Sequence, residues 1–212
     1  MNRTPISYIA APTAPDADGV CQAQTVAEVG DLVINGALAS GGVATFGEQQ
    51  RVTLYSAGDL SALTFTVYGT SRFGRSISED IAGPNATTVK TSANFKTVTR
   101  VAVDGVVSTN VTVGNYHGME TAWLPLDTNY SMKGISVELS TGAKFTYEVQ
   151  YGVRALTGGE ADTAILALAD GTLTAKAVSA GVGAVVPYPL IRLKINSFEG
   201  GTATLRVVES HL

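Results

Sequence analysis

The sequence predicts an all-β protein: one or two antiparallel β-sandwich domains, of jelly-roll or immunoglobulin-like type, with an extended N-terminal arm. Composition gives the first reason. The chain carries 25 Thr and 24 Val against only 6 Lys. β-Branched side chains are stiff at χ1 and suit a pleated surface, whereas Lys favours helices. The 23 glycines supply many turns, the second reason. The third is period-2 alternation of apolar and polar residues through most of the chain beyond residue 25.

Taken in order, residues 1–24 read as an arm. Pro5, Pro12 and Pro15 fix φ and bias their predecessors towards extended backbone, and residues 16–19 form a turn signal. Ile6, Tyr8, Ile9 and Pro12 are the expected arm contacts with a neighbouring subunit or shell. Deleting residues 1–20 is expected to leave the fold intact. Next, residues 51–55 (R-V-T-L-Y) and 63–68 (L-T-F-T-V-Y) read as a hairpin. The same arrangement returns at 135–139 with 144–151, and at 191–195 with 202–208. Further strands are expected at 31–35, 76–80, 87–90, 97–103 and 110–113. Only residues 160–169 have helix-like composition, as a short helix or a connecting loop.

A length of 212 residues allows one or two domains at about 150 residues each. The polar, turn-rich stretch 114–118 sets the expected division: arm 1–24, first sandwich 25–115, second sandwich 116–212. A single large two-sheet sandwich is the competing architecture.

Several functions are disfavoured by the residues themselves. A net charge of -4 with scattered Lys and Arg offers no basic stripe to nucleic acid. No apolar run is long enough for a membrane helix, and the first twenty residues lack the apolar core of a secretory signal. The lone Cys21 forbids an internal disulfide and a thiolate metal cluster. Asp16 and Asp18 (D-A-D-G) match a fragment of a calcium loop with no closing Glu, so they read as a turn with two solvated acids. His117 and His211 are the only histidines, and no G-x-S-x-G elbow marks a serine for either to activate. Glu79, Glu138 and Glu148 alternate with apolar neighbours and are expected on solvent faces. No catalytic, metal or cofactor residues are assigned. Trp123, Tyr130 and Tyr188 are candidate interface aromatics, either packing at a subunit contact or stacking on sugar rings.

Residues 65–96, FTVYGTSRFGRSISEDIAGPNATTVKTSANFK, running on into TVTRVAVDG, resemble a pattern in structural proteins of tailed bacteriophages. There a strand ending in Y/T-G-T precedes a G-R/N-x-I-S-E hairpin, then G-P-N and F-K-T-V-T. The second half is similar to another phage pattern, through P-L-D at 125–127, E-V-Q-Y at 148–151, and Pro189 with the I-R-L strand at 191–193. Together the matches span most of residues 60–210. The resemblance implies a non-enzymatic virion protein, first of all a capsid decoration or cement protein. It would act as a homo-oligomer, a trimer foremost, on the major capsid protein or other virion proteins, without cofactor, nucleic acid or membrane. A neck, tail or baseplate component is the runner-up, and a carbohydrate-binding receptor-recognition module the alternative from another class.

Overall fold

Alternating sequence becomes alternating burial: in the stretch T-F-T-V-Y-G-T, Phe65 and Val67 are buried while Thr64, Thr66 and Tyr68 are only partly so. The structure, a computed structural model, describes residues 5–121, 123–127, 132–152, 165–166, 177–185 and 190–210. Among these the regular elements are all strands, paired antiparallel in four sheets. The chain divides into a first unit, Pro12–Met119, and a second unit, Met1–Ala11 with Glu120–Leu212. The division therefore falls at 119/120, just beyond the turn-rich stretch, and it reassigns the chain's start.

Strand β1 (Ile6–Ala10) belongs to the second unit. The first unit holds β2 (Cys21–Val26), β3 (Gly30–Asp31), β4 (Ala39–Ser40), β5 (Val43–Gln50), β6 (Val52–Ser56), β7 (Thr64–Thr70), β8 (Ser76–Ala82), β9 (Thr88–Lys90), β10 (Phe95–Val103) and β11 (Val107–Asn115). One sheet runs β4-β5-β10-β7-β8, with β3 also on β10, and the other runs β2-β11-β6-β9. Phe46, Phe65, Val67, Phe95 and Val101 from the first sheet share one buried cluster with Cys21, Val52, Leu54, Val111 and Val113 from the second. This is a β-sandwich, its interior made by the inward residues of two sheets.

The remaining strands are β12 (Met119–Glu120), β13 (Leu124–Pro125), β14 (Met132–Leu139), β15 (Lys144–Gly152), β16 (Ile165–Leu166), β17 (Ala180–Val185), β18 (Leu190–Gly200) and β19 (Ala203–Ser210). They form the sheets β1-β19-β14-β17 and β12-β18-β15-β16, with β13 also on β18. Ile135, Val137, Leu205 and Val207 are buried on the first, and Tyr147, Val149, Ile191, Leu193 and Ile195 on the second. Of residues 160–169, Ile165–Leu166 pair with Tyr151 and Gly152 as a short strand, and the rest lie outside the described residues.

The three expected hairpins are corrected by the sheet order. β6 and β7 lie in different sheets, as do β14 and β15, and β18 and β19. Each pair is an arch from one sheet to the other, not a two-stranded ladder. The reason is the core: Leu54 and Phe65 enter the same buried cluster from opposite sheets. The connecting stretch turns inward on the buried Leu60, whose N–H donates to Pro84 O at 2.8 Å. True hairpins in the first unit are β4–β5 and β7–β8.

The expected arm is corrected as well. Residues 6–10 pair with β19 over five positions, from Ile6↔Val207 to Ala10↔Ala203. Beyond them the chain is fixed by two buried amides, Gln50 (0% exposed) and Asn115 (4%). Gln50 Nε2 donates to Thr13 O at 3.1 Å and to Tyr116 O at 2.9 Å, and its Oε1 accepts from Thr13 N at 3.1 Å. Asn115 Nδ2 donates to Thr13 O and Ala14 O at 3.2 and 3.1 Å, while its Oδ1 accepts from Asp16 N at 2.9 Å. Backbone groups outside a ladder need other partners, and here two buried side chains supply them.

This anchoring has a measurable consequence. Asn115→Ala removes the donor to Ala14 O and the acceptor of Asp16 N, while Thr13 O keeps Gln50 Nε2. It is expected to cost about 1 kcal/mol, read as a lower urea midpoint with unchanged slope. The core has another: burial pushes the Cys21 thiol up to about 12. A thiol reagent at pH 8 is therefore expected to label the denatured chain and leave the native one unlabelled.

Candidate functional site

The hairpin β7–β8 carries an exposed aromatic at its tip. Its loop is closed by Ser71 N donating to Arg75 O at 2.8 Å and Gly74 N donating to Ser71 O at 3.0 Å. Gly74 takes φ +74°, the left-handed conformation such a loop needs. The result presents Phe73, 62% exposed, with the Arg72 guanidinium 5.2 Å from its ring centroid. An aromatic tip between Arg72 and Arg75 combines apolar area with positive charge. Arg72 N also donates to Oε1 of the buried Gln49 at 3.3 Å, which ties the tip to β5. Composition could not reveal this, but an aromatic inside the turn S-R-F-G-R is a local signal that sequence reasoning passed over.

The glycines around this hairpin have steric work. A Cβ on Gly69 would collide with the carbonyl of Thr97 on β10, and one on Gly83 with the carbonyl of Leu60. Beside them, Glu79 is not simply a solvent-facing acid: its two oxygens accept Ser92 N and Ala93 N, both at 2.7 Å. The Y-G-T, I-S-E and G-P-N segments thus fix one hairpin and the turns packed around it.

A second cluster lies on one face of the sheet that holds β15 and β18. Glu148 sits opposite Lys194, and Gln150 opposite Arg192. Lys194 Nζ lies 2.8 Å from Glu148 Oε1, which also accepts Gln150 Nε2 at 2.7 Å. Arg192 Nε donates to Gln150 Oε1 at 2.8 Å, and its Nη1 meets Glu120 Oε2 at 2.7 Å. The Trp123 ring centroid lies 4.4 Å from the Arg192 guanidinium carbon. The acids here are occupied by cations, and the arrangement braces a sheet face.

Of the other expected site residues, Ile6 and Tyr8 are half-buried on β1, Ile9 is 62% exposed on the same strand, and Pro12 is buried in the first unit. Trp123 is half-buried, with Arg192 against its ring. Tyr130, Tyr188 and His211 lie outside the described residues. His117 is exposed and rests on Tyr116, ring centroids 4.1 Å apart, while Lys90 Nζ lies 4.1 Å from the same Tyr116 ring. Glu120, its nearest acid in sequence, pairs with Arg192. Asp16 Oδ1 accepts Asp18 N at 3.2 Å, an Asx turn, and the hydrogen bond between the two side chains raises the Asp18 pKa. Among the described residues no group of three or more His, Cys, Asp or Glu is placed to hold a metal ion, and no helix is long and apolar enough to cross a membrane.

No protein-family model matches the chain, and a search of curated proteins finds no match. Among solved structures the chain is similar to the crystal structure of PBSX exported protein XepA. The TM-score is 0.28 and the identity 11%, with 96% of this chain and 86% of that one covered.

The brace makes a measurable prediction. A double-mutant cycle between Arg192 and Glu120, whose side chains are 8% and 27% exposed, is expected to return about 1–2 kcal/mol of coupling. The same cycle on Arg206 and Glu138, both about half exposed, is expected to return about 0–0.5 kcal/mol. Equal couplings would mean that burial does not strengthen the Arg192 pair.

Proposed function

We propose that this chain is a non-enzymatic structural protein of a tailed-phage virion, a decoration or cement protein that attaches to the head shell as a homo-oligomer, with a trimer the favoured state. The single observation that supports this best is the form taken by the phage-like stretch. Residues Y-G-T-S-R-F-G-R-S-I-S-E build the β7–β8 hairpin, and its tip offers Phe73 between two arginines. Aromatic and Arg side chains are enriched among those that dominate the energetics of protein–protein contacts. The His117 environment supports the same reading. It lies on an aromatic ring, and Glu120, its nearest acid in sequence, is paired with Arg192.

In this reading the sandwiches work as rigid mounts, and attachment comes from many weak contacts repeated by the symmetry of the oligomer and the shell. Effective concentration then multiplies modest affinities without any one contact being strong. Orienting Phe73 on a short, hydrogen-bonded loop lowers the entropy lost on docking.

The test is sedimentation with purified particles. The chain is expected to co-sediment with expanded, DNA-filled heads and to raise their thermal stability. Phe73→Ala is expected to weaken attachment about tenfold while leaving the melting temperature of the isolated protein unchanged. Recovery of the chain in tails from disrupted particles would instead support a neck, tail or baseplate role. Binding to host cells that Trp123→Ala abolishes would support a receptor-recognition module.

A further inference from the structure

In the second unit, one buried pair of opposite charges stands on an otherwise apolar surface. Lys133 on β14 shares its phase with Ile135 and Val137, and Glu209 on β19 shares its phase with Leu205 and Val207. All six are buried, so these two ionisable groups point to the same side of the sheet as its apolar residues. They are direct cross-strand partners. Their side chains are 0% and 2% exposed, and Lys133 Nζ lies 3.4 Å from Glu209 Oε1. That separation is longer than a charge-assisted hydrogen bond normally adopts. Removing two charges from water is costly, and their mutual attraction repays it only with near-ideal geometry and every polar atom satisfied.

Here the polar atoms are satisfied unequally. Glu209 Oε1 accepts the Asp127 N–H at 2.8 Å, and Lys133 Nζ donates to the Asp127 main-chain carbonyl at 2.8 Å. Glu209 Oε2 is buried and has no hydrogen-bond partner among the described residues. One backbone residue, Asp127, thus holds both the nitrogen and one carboxyl oxygen, while the other oxygen is held by nothing there.

We propose that Lys133 and Glu209 condense to an intramolecular isopeptide bond that staples β14 to β19. The arrangement provides what the reaction needs. The nitrogen lies 3.4 Å from one oxygen of the carboxyl group it would attack, so a bimolecular step becomes intramolecular. The Asp127 N–H points at Oε1, the oxygen that carries negative charge when nitrogen adds to Cδ. Water, which would reverse the reaction, is excluded by burial. The step balances without any further reactant. The ammonium passes one proton to the carboxylate, leaving an amine and a carboxylic acid. Nζ then adds to Cδ. The Cδ–Oε2 bond breaks as Oε2 takes a second proton from nitrogen and departs as water, and the third proton stays as the amide N–H. The product is neutral and removes both buried charges together with the unpartnered oxygen. It depends on the second unit alone and holds wherever the protein works.

Intact mass spectrometry of the full chain, purified and then denatured, tests the proposal. The wild-type mass is expected to fall one water below the sum for its sequence, and a tryptic digest is expected to contain a branched peptide joining residues 133 and 209. Lys133→Arg is expected to restore the full sequence mass. A wild-type chain at full mass overturns the proposal. A deficit that persists in Lys133→Arg overturns it too, since a succinimide at Asp104–Gly105 would behave that way. Peptide mapping of the wild-type chain needs no variant, so the test remains decisive even where Lys133→Arg misfolds.

Discussion

The hydrogen bonds that Gln50 and Asn115 make to residues 13–16 are the constraint on which the chain's organisation rests. Both amides are buried at the ends of strands, where a ladder stops and backbone groups would otherwise go unpaired. By satisfying Thr13, Ala14 and Asp16 they lead the chain into β2, where Val20 N donates to Val113 O at 2.9 Å and Cys21 joins the core. On the other side of this passage, β1 is left to complete the sheet of the second unit at β19. A single short segment therefore serves two sandwiches: Thr13 bonds Asn115, 102 residues further along the chain, and Ile6 pairs with Val207. Such non-local closure is slow to form, because loop entropy is lost before the contacts are gained.

Much of the strand content was legible in the sequence because it depends on period 2 alone. The alternation in 63–68, 144–151 and 202–208 marks β7, β15 and β19 closely, and the all-β class follows from it. Partner choice was not legible. A hairpin and a sandwich arch present the same pattern of strand, polar turn and strand. Only the core decides between them, as when Leu54 and Phe65 meet from opposite sheets. The proline-marked start misled for a related reason. Pro12 and Pro15 do impose extended backbone, but extended backbone suits an edge strand or a clamped passage as well as a free arm. Gln50 and Asn115, which decide the matter, are ordinary polar residues in the sequence and gain meaning only when buried.

The candidate surfaces divide in the same way. Phe73 was visible as an aromatic in a turn, although its exposure and its arginine neighbour needed the structure. Trp123 was identified from type alone, and the Arg192 guanidinium against its ring needed the structure. Lys133 and Glu209 were also within reach of sequence reasoning. Each breaks an apolar phase, at Lys-x-Ile-x-Val and Leu-x-Val-x-Glu, and the antiparallel register places the two breaks opposite one another.

Whether the start of the chain belongs to the folded body is the decisive question. Thermal unfolding of a chain lacking residues 1–20, followed by far-ultraviolet circular dichroism, measures this directly. Loss of β1 and of the partners of Gln50 and Asn115 predicts a transition well below that of the full chain, or no cooperative transition at all. A truncated chain that melts at the full-length temperature would contradict it and restore the free arm.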